Sequence, residues 1–367
     1  MKKHRSDASV QKRRTRAKLD KRRRKYNASD KRKEEVSPLQ GYHRKVEYIR
    51  TKGPSAFDDG PFPEDVLKQP QFKDWNFLHE NLNIITDKET KGPVAIIKFT
   101  KFSDLSKNEP LFFDELQSTC RFLNRQFKYS SHITINSAHK RAGSIGKCIG
   151  LGYRKAFERG WDFGRYMPKS SVQKCDEKLK EWNEDQQQLP EIEEMIQRRF
   201  QLLAPHIYDY TVEQATLLQA PAISQLNFSE KKTSHASNLF VSKGYASAEH
   251  DDKDAQDWVF GFFVPIFSDD GEFATIGDQY DGTGSEFCFT EYKTVVCFNK
   301  CDGIVEIAWK GKSLHCTLPP KSSPQFTRLG ASTQIPNSLA NFTKREDVNE
   351  LAVKDLVEIN RTIKCRK

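Results

Sequence analysis

The sequence has no long apolar run. No stretch approaches the roughly 18 consecutive apolar residues that a membrane-crossing helix needs. The opening residues Met1-Lys2-Lys3-His4-Arg5 carry charge where a secretory leader would need an apolar segment. A soluble chain kept inside the cell, with no membrane partner, is expected. No internal repeat recurs, which argues against a solenoid. Disulfide staples are not expected either, because eight cysteines are scattered through 367 residues, a length that can bury its own core. Cys297 and Cys301 form the closest pair, but no second pair or histidine cluster stands near them, so they read as strand residues and not as half of a zinc site.

Negative charge is scarce at the start of the chain. Residues 1–33 hold sixteen Lys or Arg against three Asp, a local balance of +13, while the formal charge of the whole chain is +10, so the remaining 334 residues sum to −3. Runs such as Lys12-Arg13-Arg14-Thr15-Arg16 and Lys21-Arg22-Arg23-Arg24-Lys25 repel themselves and carry almost nothing apolar, so residues 1–50 read as a disordered basic tail. Such a tail releases counterions from phosphates or acts as an import signal, which points to nucleic acid as partner and to the nucleus as location. A solvated arm without a specific partner is the bland alternative. Residues 51–90, with Gly53-Pro54, Gly60-Pro61 and Pro63, read as an irregular lead-in.

What is present falls into two parts. Val94-Ala95-Ile96-Ile97 reads as a strand, and residues 114–127 place Leu116, Cys120, Leu123 and Phe127 at helical spacing. Residues 147–159 read as a short helix. Residues 176–203 are helical in composition, with Pro190 expected to break them in two, and residues 211–220 continue the pattern. Beyond residue 235 the texture changes. Short runs rich in Phe, Val, Ile and Tyr occupy 239–245, 258–267, 286–292, 294–299, 303–309, 313–318 and 326–335, separated by turn residues such as Asp269-Asp270-Gly271 and Asp302-Gly303. The expectation is an α+β domain over 91–345: helical support in 91–235, then a β sandwich or barrel in 236–345. A surface helix over 345–360 closes the chain, within a C-terminal segment 346–367.

Among nine histidines, His250 is the one followed two places on by a carboxylate, in His250-Asp251-Asp252. Alone the spacing means little, since it arises about as often as not by accident. On a strand, residues i and i+2 share a face, so His250 and Asp252 can offer an imidazole and a carboxylate to one metal. A second histidine from another strand completes a two-His-one-carboxylate triad, which leaves open positions on an iron(II) for cosubstrate and oxygen. His315, in Ser313-Leu314-His315-Cys316-Thr317, is the candidate. Arg328 follows in Phe326-Thr327-Arg328-Leu329-Gly330. A 2-oxoglutarate that chelates iron through its keto acid end leaves a distal carboxylate needing a buried cation, and the rigid fork of an arginine suits that pairing. Alone, Arg328 reads as a surface strand residue; its place after the metal-binding strand reverses that. Ser332 and Thr317 are candidate hydroxyl donors to the cosubstrate. His79, His132, His139, His206 and His235 show no partner spacing and read as packed or polar residues, and Glu291 and Glu306 read as ion-paired strand residues.

At this point the chain resembles a known family. His250-Asp251-Asp252, the block Asp302-Gly303-Ile304-Val305-Glu306-Ile307-Ala308-Trp309-Lys310-Gly311-Lys312, His315-Cys316-Thr317, and Thr327 through Ile335 look like the fungal Tet-like 2OG-Fe(II) oxygenases. Gly152-Tyr153-Arg154-Lys155 and Phe163-Gly164-Arg165-Tyr166 look like the same branch, and the match spans roughly 90–345. The resemblance implies a double-stranded β-helix (jelly roll) core with supporting N-terminal helices. It implies iron held by His250, Asp252 and His315, and 2-oxoglutarate anchored by Arg328, with O2 as co-oxidant. The Tet/JBP group oxidises the methyl group of thymine or 5-methylcytosine in nucleic acid. The resemblance therefore implies a base in DNA as substrate, with 5-methylcytosine going to 5-hydroxymethylcytosine and further oxidised forms. Arg154, Arg165 and Tyr166 are the expected lip or pocket residues. The chain lacks the cysteine-rich zinc-binding region of animal Tet enzymes, so its grip on DNA is expected to differ. A monomer is expected. The same chemistry on RNA, on N-methylated bases or on a protein side chain is the first alternative. A catalytically silent nucleic-acid-binding protein of the same fold is the second.

Overall fold

The computed structural model describes residues 43–48, 66–68, 72–133, 146–155, 163–225, 232, 234–280, 282, 284–299, 301–320, 325–337 and 340. Residues 1–42 of the expected tail and the C-terminal helix lie outside the described residues, whereas residues 43–48, expected to be part of the disordered tail, form a strand paired with residues 82–87. Fourteen strands are assigned among those described, and they form two sheets. The larger contains β1 (His43–Tyr48), β3 (Leu82–Asp87), β4 (Pro93–Lys101), β5 (Lys147–Lys155), β6 (Phe163–Arg165), β7 (Asn238–Lys243), β9 (Trp258–Phe267), β12 (Gly303–Lys310) and β14 (Phe326–Gln334), in the order β1-β3-β4-β12-β9-β14-β7-β5-β6. The smaller is β2 (Asn76–Leu78), β11 (Thr294–Val296), β10 (Phe287–Phe289), β13 (His315–Thr317) and β8 (Ser247–His250), in that order.

Alternation along the strands sends side chains into two different cores. Val259 and Phe263 of β9, Val305, Ile307 and Trp309 of β12, and Phe287 and Phe289 of β10 share one cluster, so the two sheets face each other across it. The intervening residues Phe260, Phe262, Val264, Ile304, Ala308, Leu329 and Ala331 face the other way and join a cluster with the helices. Buried on both faces, β9 therefore reads as a continuous apolar run. The outer face of the small sheet packs Cys288, Cys316 and Val295 against Phe72 and Trp75. This is a jelly roll with a helical layer on one sheet.

The helices are α1 (Phe102–Asn108), α2 (Pro110–Tyr129), α3 (Ser170–Gln173), α4 (Asp176–Gln186), α5 (Leu189–Leu203) and α6 (Pro205–Leu217). Pro110, Pro190 and Pro205 sit at the first turns of their helices, where a missing N–H costs nothing. Pro190 thus starts α5 and separates it from α4. The stripe Ile192, Met195, Ile196, Phe200 and Leu203 of α5 lies on the large sheet, with Phe200 stacked on Phe260 at 5.0 Å. Arg199 on the same stripe makes a bidentate ion pair with the fully buried Glu306 of β12 (2.7 and 2.6 Å), reaches Glu109 at 3.0 Å, and covers the Phe112 ring. Glu306 is thus an ion-paired strand residue. Glu291 accepts a hydrogen bond from the Leu314 backbone N–H at 3.1 Å.

Three expectations change. The helix expected over 147–159 is strand β5, whose odd residues Ile149, Leu151 and Tyr153 point to the helical layer while Cys148, Gly150 and Gly152 alternate with them. Gly150 is required by a close approach: a Cβ there would lie 2.3 Å from the Tyr166 ring. The stretch 91–235 holds strands β5 and β6 besides its helices and the expected strand around Val94–Ile97, which is β4. The lead-in 51–90 contains β2 and β3, each paired into a sheet.

Candidate metal and cosubstrate site

The small sheet carries both histidines. His250 ends β8 and pairs directly with His315 at the start of β13, placing the two rings 4.5 Å apart. The chain then turns, and two contacts to the β12–β13 turn hold Asp252 beside them. Asp252 N–H donates to the Gly311 carbonyl at 2.8 Å, and Lys312 Nζ donates to the Asp252 carbonyl at 2.7 Å. A Cβ at Gly311 would lie 3.3 Å from the Asp252 Cβ, so glycine keeps this approach uncrowded. Asp252 Oδ1 lies 4.0 Å from His250 Nε2, and Oδ2 lies 3.7 Å from His315 Nε2. One donor atom from each residue falls within 4.8 Å of the other two.

The hydrogen bonds set the tautomers. His250 Nδ1 lies 2.8 Å from the Ala248 carbonyl and His315 Nδ1 lies 2.9 Å from the Ser313 carbonyl. A carbonyl only accepts, so each Nδ1 carries a proton, and in a neutral ring the lone pair then sits on Nε2, the atom that faces Asp252. Asp252 Oδ2 is buried without a hydrogen-bond partner, which a structure tolerates where a cation is the intended partner. Phe287 stacks on the His315 ring at 5.2 Å and Trp309 meets it edge-on at 6.0 Å, so an apolar wall keeps water from that side. Two imidazoles and a carboxylate on one side of a point suit ferrous iron.

Arg328 lies across the cavity on the large sheet, on the same face of β14 as Gly330 and Ser332. It is 3% exposed and sits over Phe298 (4.7 Å) and Phe263 (5.2 Å). Nη2 donates to the Tyr245 carbonyl at 3.3 Å, while Nε and Nη1 are buried without an acceptor. Burial pushes its guanidinium down to about 10, which leaves it charged at neutral pH. A buried cation with two unanswered donors, in a crevice shared with Phe263, Tyr280, Phe298 and Val305, suits the distal carboxylate of a dicarboxylate. Ser332 is half-buried on this face, and Thr317 is buried on the inner face of β13.

The three expected pocket residues separate. Tyr166 lies on Gly150 and meets Phe240 edge-on at 6.5 Å, with the Arg154 guanidinium 5.9 Å from its ring. Both therefore stand on the face that carries Arg328 and Ser332. Burial pushes the Tyr166 phenol up to about 12. Arg165 does not join them. It pairs with Tyr153 across the β5–β6 hairpin, lies buried over that ring on the helical side, and donates to the carbonyls of Gln225 and Ile223. Its guanidinium is used up in holding the 223–225 segment, so the lip role expected for it is not what the structure shows. Sequence reasoning named Gly311 and Lys312 only as part of a motif block. Their task of clamping Asp252 is visible only once residues sixty apart are brought together.

A solved structure of NgTET1 in complex with 5mC DNA is similar at 12% identity over 73% of this chain and 82% of that one, with a TM-score of 0.41. A prolyl-4-hydroxylase from Pseudomonas putida is similar at 10% identity over 66% of this chain and 93% of that one, with a TM-score of 0.30. No curated protein matches the chain. The model of one family matches residues 110–320, a stretch that contains His250, Asp252 and His315 and ends just before Arg328. That stretch is more than half of the 367 residues, and the chain accordingly belongs to the Tet-like 2OG-Fe(II) oxygenase superfamily, as a 2-oxoglutarate-dependent dioxygenase using Fe(II) and O2.

Proposed function

We propose that this dioxygenase oxidises a methyl group on a nucleic-acid base, with 5-methylcytosine in DNA as the first substrate to test. The observation that carries the chemistry is the convergence of His250, Asp252 and His315, with the Asp252 Oδ2 atom left buried and unpartnered. His250 Nε2, His315 Nε2 and the Asp252 carboxylate would hold the iron, and Arg328 would take the distal carboxylate of 2-oxoglutarate. The bound pair supplies the oxidising power to turn a C–H bond into C–OH while 2-oxoglutarate and O2 become succinate and carbon dioxide. The protein's own residues fix ligand tautomers, clamp Asp252 through Gly311 and Lys312, and exclude water with Phe287 and Trp309. Ser332 and Thr317 would add hydroxyl donors near the cosubstrate, and Tyr166 and Arg154 would line the substrate side.

The choice of nucleic acid rests on the Tet-like family and on the +13 balance of residues 1–33. A base inside a duplex must be flipped out at a cost of a few kcal/mol, which phosphate contacts can offset. The same tail would direct the protein to the nucleus. Purified protein given ferrous iron, 2-oxoglutarate and methylated oligonucleotides should release succinate and oxidised bases, read by mass spectrometry. Succinate released only with a peptide pool, beside unchanged oligonucleotides, would replace this reading with protein hydroxylation.

A further inference from the structure

Away from the metal, five basic residues gather around the ring of Phe127 near the C-terminal end of α2. Lys243, at the end of β7, holds its ammonium 5.0 Å from the Phe127 ring and donates to the Ser268 carbonyl at 3.1 Å. Lys147, at the start of β5, is its direct cross-strand partner. Lys128 follows Phe127, and the Lys169 backbone N–H donates to the Tyr129 carbonyl at 2.8 Å. The His132 ring lies 6.3 Å from Phe127, and the next residue, Ile133, bonds the Cys148 carbonyl beside Lys147. Lys128 and Lys147 are exposed, and Lys169 and Lys243 are half-buried.

Like charges directly opposite each other on paired strands destabilise a sheet. Among the described residues none of these four lysines is in an ion pair, although the chain outside its leading tail has more acidic than basic residues. The repulsion is felt: burial, then Lys147 and Lys128, push Lys243 down to about 8, against a contrary pull from Asp269. Burial, then Lys147 and Lys169, lower His132. A cluster of lysines that makes no ion pair among the described residues, built around a lysine stacked on Phe127, is the electrostatic counterpart of a row of phosphates.

We infer that the surface formed by Lys128, Lys147, Lys169 and Lys243 is a second nucleic-acid contact, which grips the sugar-phosphate backbone outside the oxidation site. It rests on the nucleic-acid reading above. The test uses the full chain carrying Lys128→Gln, Lys147→Gln and Lys169→Gln together, beside a control with Lys88→Gln, Lys91→Gln and Lys107→Gln. Binding of a methylated duplex is followed by anisotropy over a range of salt concentrations. The patch variant should bind at least tenfold more weakly than wild type at fixed salt. Its slope of log affinity against log salt should shrink by about 2 to 3, at about 0.9 for each phosphate no longer neutralised. Succinate release at saturating oligonucleotide should be unchanged, since none of the three touches the oxidation site. Equal losses in patch and control variants would overturn the proposal, because net charge alone would then explain them. So would a patch variant that binds duplex normally but loses binding to phosphatidylserine vesicles. If wild-type protein neither binds nor oxidises any oligonucleotide, the nucleic-acid reading falls and the patch with it; loss confined to the patch prediction leaves that reading standing.

Discussion

Replacing Asp252 separates the metal site from the fold that carries it. Asp252→Ala removes one of the three proposed ligands, including an oxygen that is buried without a hydrogen-bond partner. In the wild type, a metal present at a hundred times its dissociation constant stabilises the native state by about 2.7 kcal/mol. For a domain of this size that is a rise of roughly 5–10 °C in melting temperature. With two imidazoles left, binding weakens enough that the rise at the same metal concentration should vanish. The metal-free variant should melt no lower than the metal-free wild type, because an unanswered carboxylate oxygen has gone. Differential scanning fluorimetry with manganese(II), which does not turn over, gives both numbers, and the same titration with His250→Ala and His315→Ala completes the set. A wild-type rise that survives unchanged in Asp252→Ala would refute the assignment of the three ligands.

Arg328→Met should act in opposite directions on function and stability. The KM for 2-oxoglutarate should rise about thirtyfold or more, the equivalent of about 2 kcal/mol for an unpaired buried carboxylate, while the cosubstrate-free protein gains resistance to urea; an unchanged KM would remove Arg328 from the cosubstrate site. Breaking the Arg199–Glu306 pair with Glu306→Gln should cost about 3–5 kcal/mol in urea unfolding, and the double change Arg199→Met with Glu306→Leu should recover most of it. His235 is fully buried, and burial holds it neutral down to about 4 instead of 6.5, with Glu193 pulling weakly the other way. The unfolded chain takes up this proton below pH 6.5 and the folded one does not. Stability is therefore fully present above 6.5 and falls by about 3 kcal/mol as the pH drops toward 4. In His235→Gln this part of the acid slope should disappear from urea titrations, and an unaltered slope would show that other groups carry it.

Parts of this architecture are legible in the residues because local pattern and tertiary role agree. Trp258–Phe267 is apolar on both faces because one face meets the other sheet and one meets the helices. His250 and His315 meet because their strands pair them directly, but Asp252 lies past the end of β8 and is placed by the β12–β13 turn, not by the strand alternation from which the sequence grouped it with His250. β5 misleads for a physical reason: Ile149, Leu151 and Tyr153 alternate with Cys148, Gly150 and Gly152 instead of with polar residues, because the Tyr166 ring lies on Gly150, so the apolar–polar alternation of a half-buried strand is missing. Arg165 misleads because its direction depends on the register of a hairpin, Tyr153 opposite Arg165, and a shift by one residue would send it to the other face. The clamp of Gly311 and Lys312 on Asp252, and the Phe287 stack on His315, join residues that only the closed jelly roll brings together.

The position of β12 between β4 and β9 has a kinetic consequence. Val305 must find Phe99, and the Tyr292 hydroxyl must reach Asp87 across 205 residues of chain, before the sheet behind the metal ligands is complete. Closures of this length are slow beside the formation of a helix such as α2. His250 and His315 come from strands that also pair only through the closed sheets, so we expect them to meet late in folding and to offer iron no site before then. Bound metal should leave the folding rate alone and slow unfolding, so that its loss shortens the lifetime of the native chain.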